Sequence, residues 1–343
     1  MFLRHLKHES NEFCFRTFTI SLLLVFLTFS INLEEGIVIK STGNLYHVRL
    51  KNGDIITTRI KGSFRMMDIK TTNPVAVGDK VVVNDIATEP VISEIKPRTN
   101  YIIRKSVNLS KQAHIIAANV DQAVLIATIA QPETSTGFID RFLVTAEAYH
   151  IPTIIVFNKT DIYTEKDQER LQFLMETYAN IGYECLAISV TTNKNIDQLI
   201  AKLKNKISLV SGHSGVGKSS LLNLIEPSLQ LKTSIISDAH QLGKHTTTYA
   251  EMHELSFGGF VVDTPGIKAF GLIDFDKTEL SHYFIEMREL LSECQFNNCQ
   301  HINEPKCAVK KAVENNEIAA FRYQNYLSMY NDNESESYRG KGY

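Results

Sequence analysis

The segment Gly212–Ser219, with the sequence GHSGVGKS, constrains the fold of this chain more than any other. It matches the pattern G-x-x-x-x-G-K-[ST] at every fixed position, follows the apolar run Ile207–Val210 and precedes the helix-like sequence SSLLNLI. Glycines at these spacings let backbone N–H groups point inward around phosphate oxygens, and the helix N-terminus adds partial positive charge. The segment therefore predicts a strand, a phosphate-binding loop and a helix. The alternative is a glycine-rich turn that holds no ligand.

The phosphate loop assigns roles to individual side chains. Lys218 can reach the β- and γ-phosphates of a nucleotide, which makes it a catalytic candidate, and the Ser219 hydroxyl can ligate Mg²⁺. The predicted phosphate-site residues are Gly212, His213, Ser214, Gly215, Val216, Gly217, Lys218, Ser219 and Ser220.

A second motif, NKTD at Asn158–Asp161, closes the apolar run Thr153–Phe157. Ligands of nucleotide-binding folds lie at the carboxyl ends of the strands. An ionised Asp161 can accept hydrogen bonds from guanine N1–H and the exocyclic amine, whereas adenine offers no such pair of donors. The motif therefore predicts a guanine site, supported by the small residue Ser189. Its members are Asn158, Lys159, Thr160 and Asp161.

A third motif, DTPG at Asp263–Gly266, ends the apolar run Phe260–Val262. Asp263 is predicted to hold Mg²⁺ through water, and the Gly266 N–H to meet the γ-phosphate. The sequence LGKHTTTYAEM lies between the phosphate loop and this strand. One of Thr246, Thr247 and Thr248 in this sequence is predicted to ligate Mg²⁺ and sense the γ-phosphate, and we favour Thr247 or Thr248.

The residue after DTPG is Ile267, where many GTPases have a glutamine that orients water. Because an apolar side chain cannot orient water, we expect slow intrinsic hydrolysis and help from another group. His245, beside the threonines, is the best local candidate for positioning the water. The alternative is a loop histidine without a catalytic role.

The order of the three motifs is unusual. In the usual GTPase the phosphate loop comes first and NKxD last, whereas here NKTD precedes the loop and DTPG follows it. Apolar runs alternate with amphipathic helical segments across this region, which indicates a mainly parallel sheet with helices on both faces. We therefore predict a central α/β P-loop GTPase domain, residues 105–272, in circularly permuted order.

Short alternating runs precede this domain and predict five strands. Asn52-Gly53 between two of them predicts a hairpin with a type I′ turn. This spacing indicates a small closed β-barrel of the OB-fold type over residues 35–100, a fold that often binds RNA; a barrel used only for packing is the alternative. The acid-free segment 96–111 carries five positive charges, which suit phosphate contacts and equally a solvated linker. The predicted strands are Gly36–Lys40, Leu45–Leu50, Ile55–Ile60, Lys80–Val83 and Val91–Ile95.

Residues 1–34 form an apolar leader that stands apart from the rest. Its apolar run Phe18–Leu33 follows Arg4, Lys7 and Arg16. The run is short for a transmembrane helix, which needs about 20 residues, and no small-x-small cleavage site follows it. Three interpretations stay open: a start site assigned too far upstream, a signal or anchor, and a helix packed on the domain.

Composition limits the remaining classes of function. The chain has 343 residues, which fits two or three domains, and is 43% hydrophobic and 22% charged, as in soluble globular proteins. Its formal net charge of −2 excludes a global basic field, so any nucleic-acid contact must come from a local patch.

The five cysteines are an odd number, and three of them cluster near a histidine. The pattern Cys294-x4-Cys299-x-His301-x5-Cys307 supplies three thiolates and one imidazole, which suits tetrahedral Zn²⁺ with no open position. We predict one structural zinc in a mostly helical C-terminal domain, residues 273–343. The alternative is three reduced cysteines near a surface histidine.

The combination of motifs resembles one known family. NKTD, GHSGVGKSS, HTTT, DTPG and the Cys/His pattern follow in this order behind an OB-like barrel, and GIVIKSTG and DTPGIKAFGL are also similar to it. The chain thus resembles the bacterial ribosome small-subunit-dependent GTPase A family from about Gly36 to Tyr330. Members carry a hydrophobic residue after DTPG, as Ile267 is, and a switch histidine, as His245 is. The apolar leader departs from the family pattern.

The resemblance implies a GTPase that uses Mg²⁺ with GTP, releases GDP and acts late in maturation of the small ribosomal subunit. It further implies contact with ribosomal RNA through the barrel and the zinc domain, stimulation by the subunit, one zinc per chain, a monomer, a cytoplasmic location and no membrane partner. Two alternatives stay open: a GTP-dependent switch that acts on a protein partner, and an envelope-associated protein directed by the leader.

Overall fold

The computed structural model describes residues 33–60, 74–84, 90–105, 113–231, 251–263 and 277–331. Its first five strands pair in the order β1-β2-β3-β5-β4, and β4 pairs again with β1, so the sheet closes on itself. Val38, Tyr46 and Val48 are fully buried inside, as the alternation of strand side chains requires. The predicted five-stranded OB-like barrel is confirmed. Its strands are β1 (Leu33–Ser41), β2 (Tyr46–Leu50), β3 (Ile55–Ile60), β4 (Lys80–Asn84) and β5 (Val91–Ile95).

The turn between β2 and β3 differs from the prediction. The Gly53 N–H donates to Leu50 O at 3.1 Å, and the Leu50 N–H donates to Asp54 O at 2.8 Å. Gly53, with φ of 105°, is the only residue of this fully described turn with a positive φ. The type I′ prediction is therefore wrong: the loop has three residues and ends on a left-handed glycine, and Asn52 Oδ1 accepts from the Asp54 N–H at 2.9 Å.

The basic segment after the barrel has a structural role in its first part. Arg98 donates from Nε to Asp79 Oδ1 at 2.6 Å and from Nη2 to Asp79 Oδ2 at 2.7 Å, and Asp79 is fully buried. Arg98 is therefore engaged with the barrel instead of offering a phosphate contact. The chain continues into an antiparallel pair of strands, β6 (Tyr101–Lys105) and β7 (Ala113–Ala118).

The central domain is an α/β sheet in the order β10-β9-β8-β11-β13-β12, in which only β12 is antiparallel to its neighbour. All residues of β8, β9 and β11 are buried, as expected of strands covered on both faces. The predicted α/β class is confirmed. Its strands are β8 (Gln122–Ala127), β9 (Thr153–Phe157), β10 (Glu184–Ala187), β11 (Ile207–Ser211), β12 (Glu251–Glu254) and β13 (Phe260–Asp263). Its helices are α1 (Thr136–Ala148), α2 (Glu165–Ile181), α3 (Ile196–Leu203) and α4 (Lys218–Ile225).

The barrel and the α/β domain share one continuous sheet. Strand β12 pairs antiparallel with β1, with Glu251 opposite Lys40. Lys40 Nζ lies 3.1 Å from Glu251 Oε1, and Arg49 donates to both carboxylate oxygens of Glu254 at 2.7 Å. The barrel is therefore attached directly to the strand that precedes β13.

The C-terminal domain is helical. Phe284, Met287, Val309 and Tyr326 form its core, together with Val144 of α1. Within the described ranges, no helix is both long and apolar enough to span a bilayer. The elements are a 3-10 helix (Lys277–Tyr283), α5 (Ile285–Arg288), a 3-10 turn (Leu291–Glu293), α6 (Ala308–Glu314) and α7 (Ala320–Asn331).

A buried ionic network joins this domain to α1. Arg322, fully buried in α7, donates from Nη1 to Asp140 Oδ1 at 2.6 Å and from Nε to Glu286 Oε1 at 2.7 Å. Tyr178 and Asn325 donate to the same Asp140 carboxylate at 2.7 and 2.6 Å. Every charge in the network therefore has an opposite charge and hydrogen-bond partners, which burial of a charge requires.

The Arg322→Ala variant is expected to lower the free energy of unfolding by about 3–5 kcal/mol, because it leaves the fully buried carboxylate of Asp140 and the half-buried one of Glu286 without a cation. The matched control is Arg288→Ala. Arg288 is exposed and lies 3.2 Å from Glu147, so its loss is expected to cost less than about 1 kcal/mol. Urea denaturation of the full chain measures both, and equal losses would contradict the role given to Arg322.

Candidate functional site: a nucleotide cleft and a metal centre

The phosphate loop lies between β11 and α4. Gly217 has φ of 94° and is the N-cap of α4. A Cβ at this residue would lie 2.5 Å from Asn158 Nδ2, and a Cβ at Gly212 would meet the backbone oxygen of Ile126. Both positions therefore need glycine, for the left-handed backbone at Gly217 and for close approach at both.

Asn158 joins the NKTD motif to this loop. Its side chain is buried, and Nδ2 donates to Val216 O at 2.9 Å while Oδ1 accepts from the Val190 N–H at 3.3 Å. Tyr163 donates its hydroxyl to Asn158 O, and burial raises the pKa of Tyr163 to about 12, which keeps that donor protonated. The two motifs predicted to bind base and phosphates thus lie side by side.

Asp161 and Ser189, two residues of the predicted base site, form a hydrogen-bonded pair. The Ser189 hydroxyl donates to Asp161 Oδ1 at 2.6 Å and itself accepts from the Thr192 N–H at 3.1 Å. Ser189 is fully buried, and Asp161 is exposed in the 3-10 turn Thr160–Ile162 that follows β9. The serine therefore orients a carboxylate whose surface faces solvent, where a base would arrive.

Lys159 and Thr160 shape the backbone of the motif. Lys159 is left-handed, with φ of 66°, and its Nζ donates to Gln131 O at 2.5 Å; burial lowers its pKa, and Asp161 opposes that shift. The Thr160 N–H donates to Ile188 O at 3.2 Å. Within the described part of the chain, the buried Thr160 hydroxyl has no hydrogen-bond partner.

Lys218 spans the phosphate loop. Its Nζ donates to Gly212 O and to His213 O, each at 2.6 Å. Ser219 and Ser220 follow it in the first turn of α4. Lys218 and Ser219 therefore belong to the same short segment that surrounds the predicted phosphate position.

The cleft is also lined by a fourth segment, which the sequence analysis did not predict. This is the loop between β8 and α1, residues 128–135. Pro132 Cδ lies 3.3 Å from the Cβ position of Gly215, and the ring of Phe138 in α1 lies 3.7 Å from that of His213. The position of this loop in the sequence could have indicated it. The loop follows the carboxyl end of a parallel strand, and ligands bind at that end in such sheets.

The candidate Mg²⁺ ligands are only partly described. Asp263 ends β13, which pairs with β11, so its backbone lies at the same edge of the sheet as the phosphate loop. A serine hydroxyl and a carboxylate are oxygen donors, which Mg²⁺ prefers. His245, Thr246, Thr247, Thr248, Gly266 and Ile267 lie outside the described residues.

The candidate metal centre brings together all four predicted ligands. The ligand atoms of Cys294, Cys299, His301 and Cys307 lie within 4.8 Å of one another, and the four residues are buried. His301 Nδ1 lies 3.6 Å from Cys294 Sγ and 3.3 Å from Cys307 Sγ. Zn–S and Zn–N bonds of about 2.3 and 2.0 Å at a tetrahedral angle place N and S about 3.5 Å apart. The residues therefore fit a zinc ion bound through Nδ1.

A neighbouring carboxylate supports the loop that carries these ligands, and burial shifts the pKa values of two of the ligands. The Glu304 carboxylate accepts backbone N–H groups of Gln300 at 2.7 Å and Ile302 at 2.8 Å. Burial lowers the pKa of His301, which favours the neutral imidazole that binds metal. Burial also raises the pKa of Cys299 to about 12, so metal binding must displace its proton.

The Cys307→Ser variant is expected to retain less than about a tenth of the zinc bound by the parent chain, because the site loses one of its three thiolates. Elemental analysis of the purified protein measures the zinc content. Cys185→Ser is the matched control, since Cys185 lies in β10 outside the cluster, and we expect it to keep the full complement. Equal zinc contents in the two variants would contradict the assignment.

Comparisons with known proteins agree with this arrangement. A family model described as RsgA GTPase matches residues 95–273, and one described as RsgA N-terminal domain matches residues 35–90. The small ribosomal subunit biogenesis GTPase RsgA of Christiangramia forsetii is 52% identical over 309 residues, covering 89% of this chain and 98% of the relative. That of Flavobacterium johnsoniae is 53% identical over 308 residues, covering 89% and 94%.

Solved structures give the same result. YjeQ from Thermotoga maritima superposes with a TM-score of 0.73 at 38% identity, over 87% of this chain and 97% of that one. YloQ, described as a circularly permuted GTPase, superposes with a TM-score of 0.70 at 35% identity, over 88% and 96%. The predicted permutation is therefore confirmed.

Proposed function

The chain belongs to the RsgA GTPase family and is a GTP hydrolase, and we propose that it acts in biogenesis of the small ribosomal subunit, binds the subunit's RNA and is stimulated by the subunit. The names of the relatives support a role with the small subunit. The OB-like barrel supports RNA binding, because OB-folds often bind nucleic acids. We further propose that the protein works as a cytoplasmic monomer.

The observation that carries the nucleotide assignment is the hydrogen bond from Asn158 Nδ2 to Val216 O. It joins two motifs that lie far apart in the chain into one cleft. Asp161, oriented by Ser189, would accept the N1–H and amine of guanine, while Lys159 would cover the base and hold the neighbouring loop through Gln131.

Different residues of the chain would take different roles in GTP hydrolysis. The backbone N–H groups of residues 213–218 would bind the phosphates, and Lys218 would move from the loop carbonyls to the β- and γ-phosphate oxygens. Water attacks the γ-phosphorus as the bond to the β–γ bridging oxygen breaks, which leaves GDP and phosphate. Because Ile267 cannot orient water, we assign that role to His245.

Bound Mg²⁺ would neutralise charge on the β- and γ-phosphates. We propose that Ser219, Asp263 and either Thr247 or Thr248 hold it. We propose that the metal centre holds one structural zinc and keeps the C-terminal domain folded as a second RNA-binding module.

Turnover of GTP with and without purified small subunits tests the proposal. We expect stimulation of at least about tenfold, which corresponds to about 1.4 kcal/mol of transition-state stabilisation. Large subunits at equal concentration are the control and are expected to leave the rate unchanged. Stimulation by ribosomal proteins stripped of RNA, or no response to small subunits, would count against an RNA partner.

The His245→Ala variant is expected to lower stimulated turnover by about 10²-fold, in the range of general acid–base contributions, with unchanged GTP affinity. Single-turnover hydrolysis with saturating subunits measures the rate, and equilibrium titration measures the affinity. Turnover at the parent rate would remove the proposed role.

A further inference from the structure

A groove of about 650 Å³ lies where the barrel meets the α/β sheet. Strands β1, β2 and β4 form one wall, and Glu254 of β12 and Phe260 of β13 form the other. This volume is within the usual range of about 300–1,000 Å³ for sites that hold a small organic ligand.

The groove has an apolar floor. Ile37, Leu50, Val81 and Phe260 line it. Leu50 and Val81 are buried, whereas Ile37 and Phe260 are half-buried and pack against the core of the α/β domain. The floor therefore presents one aromatic ring among aliphatic groups, which suits a flat ligand that stacks or packs on it.

The rim of the groove is cationic. Four basic residues line it, against two carboxylates, Glu35 and Glu254. Glu35 lies 2.5 Å from Lys51 and 3.4 Å from Lys96, and Glu254 binds Arg49. Lys80 is exposed and has no ion-pair partner among the described residues. An occupant that complements this rim carries negative charge. The basic residues are Arg49, Lys51, Lys80 and Lys96.

We propose that this junction groove binds an unpaired nucleotide of single-stranded RNA, with the base on the apolar floor at Phe260 and the phosphate near Lys80. The inference rests on the proposed function, which supplies an RNA partner. A cationic groove that contains an aromatic side chain is the arrangement by which proteins bind single strands without reading their sequence.

An RNA seated in the groove contacts both domains at once. Phe260 begins β13, and Asp263, a proposed Mg²⁺ residue, ends the same four-residue strand. Glu254 ends β12, which pairs with both β13 and β1. RNA bound in the groove therefore contacts the strand that carries the proposed Mg²⁺ residue Asp263. This contact can change the position of Asp263 and thereby the rate of GTP hydrolysis.

Binding of a fluorescein-labelled single-stranded RNA dodecamer of mixed sequence tests the groove. The Lys80→Glu variant is expected to weaken binding about tenfold, as for loss of a charge-assisted contact. It is also expected to reduce the slope of log K against log salt by about 0.7, the value for one phosphate contact on a single strand. Its basal GTP turnover is expected to be unchanged.

Two further variants make the test specific. Lys166→Glu is the matched control, since Lys166 is an exposed lysine on α2 at the far end of the sheet, and its RNA affinity is expected to equal that of the parent. Phe260→Leu keeps an apolar floor without the ring, and we expect weaker RNA binding with the thermal unfolding temperature little changed.

A photocrosslinking amino acid in place of Lys51, in the full chain bound to small subunits, identifies the occupant. We expect crosslinks to ribosomal RNA. Crosslinks to a ribosomal protein or to residues 1–32 of this chain would overturn the inference, as would parent-like RNA affinity in both Lys80→Glu and Phe260→Leu. A parent chain that binds neither the dodecamer nor the subunit would overturn the proposed function as well.

Discussion

Replacing Lys218 with alanine is expected to remove GTP binding, and hydrolysis with it, while the chain stays folded. The lysine Nζ donates to the carbonyl oxygens of Gly212 and His213 at 2.6 Å. When a nucleotide binds, the ammonium group of Lys218 can donate to anionic phosphate oxygens instead of these neutral carbonyl oxygens. Hydrogen bonds between charged partners are about twice as strong as neutral ones. The alanine variant cannot form these stronger hydrogen bonds, and its phosphate loop has no lysine ammonium group at its centre.

The expected loss is about two charge-assisted hydrogen bonds, each worth about 1.5–3 kcal/mol. The dissociation constant for GTP should therefore rise by about 10²–10⁴-fold. Isothermal titration measures this directly. At a GTP concentration of about a hundred times the parent's dissociation constant, the parent gains about 2.7 kcal/mol of stability, and we expect the variant to gain at most about 0.4 kcal/mol.

Lys202→Ala is the control for removal of a lysine from the same domain. Lys202 lies in the last turn of α3, and its Nζ is 2.7 Å from Glu184 at the amino end of β10, the edge of the sheet opposite the cleft. It is expected to bind GTP as the parent does. Parent-like affinity in Lys218→Ala would mean that the loop at Gly212 is a turn without a phosphate role.

The sequence predicts the parts of the cleft whose chemistry restricts the residue type. Gly217 is an example, since its left-handed backbone and its 2.5 Å approach to Asn158 exclude other residues. The segment around Gln131 and Pro132 was missed because it contributes a backbone oxygen and a ring edge. Many sequences supply those groups, so no motif marks them.

The ionic network around Arg322 was missed for a different reason. Arg322 and Asp140 are 182 positions apart, and each stands in a helix that shows no local sign of the other. Charged residues are almost never fully buried unless they are paired. An analysis of the local sequence alone therefore predicts that Arg322 and Asp140 both lie on the surface. The junction of β1 with β12 is equally non-local, since it pairs residues of two domains.

The Asp161→Asn variant is expected to change the base that the cleft prefers from guanine to xanthine. The carboxylate of Asp161 is held by the buried hydroxyl of Ser189 at 2.6 Å and would accept the N1–H and amine of guanine. An amide presents a donor where the guanine amine also donates, so one hydrogen bond is lost and two donors face each other. Xanthine carries a carbonyl at that position, which accepts from the amide.

Loss of one hydrogen bond to a charged acceptor costs about 1.5–3 kcal/mol, and the two donors left facing each other cost about 1–3 kcal/mol more. GTP affinity should therefore fall by about 10²–10⁴-fold while XTP affinity rises. Competitive titration of both nucleotides gives the two constants in one experiment. Ser189→Ala is the graded control: the carboxylate remains and only its orientation is lost, so GTP is expected to bind less tightly and still in preference to XTP. Tight GTP binding by the asparagine variant would mean that the base does not meet Asp161, even though the phosphate loop and NKTD are joined through Asn158.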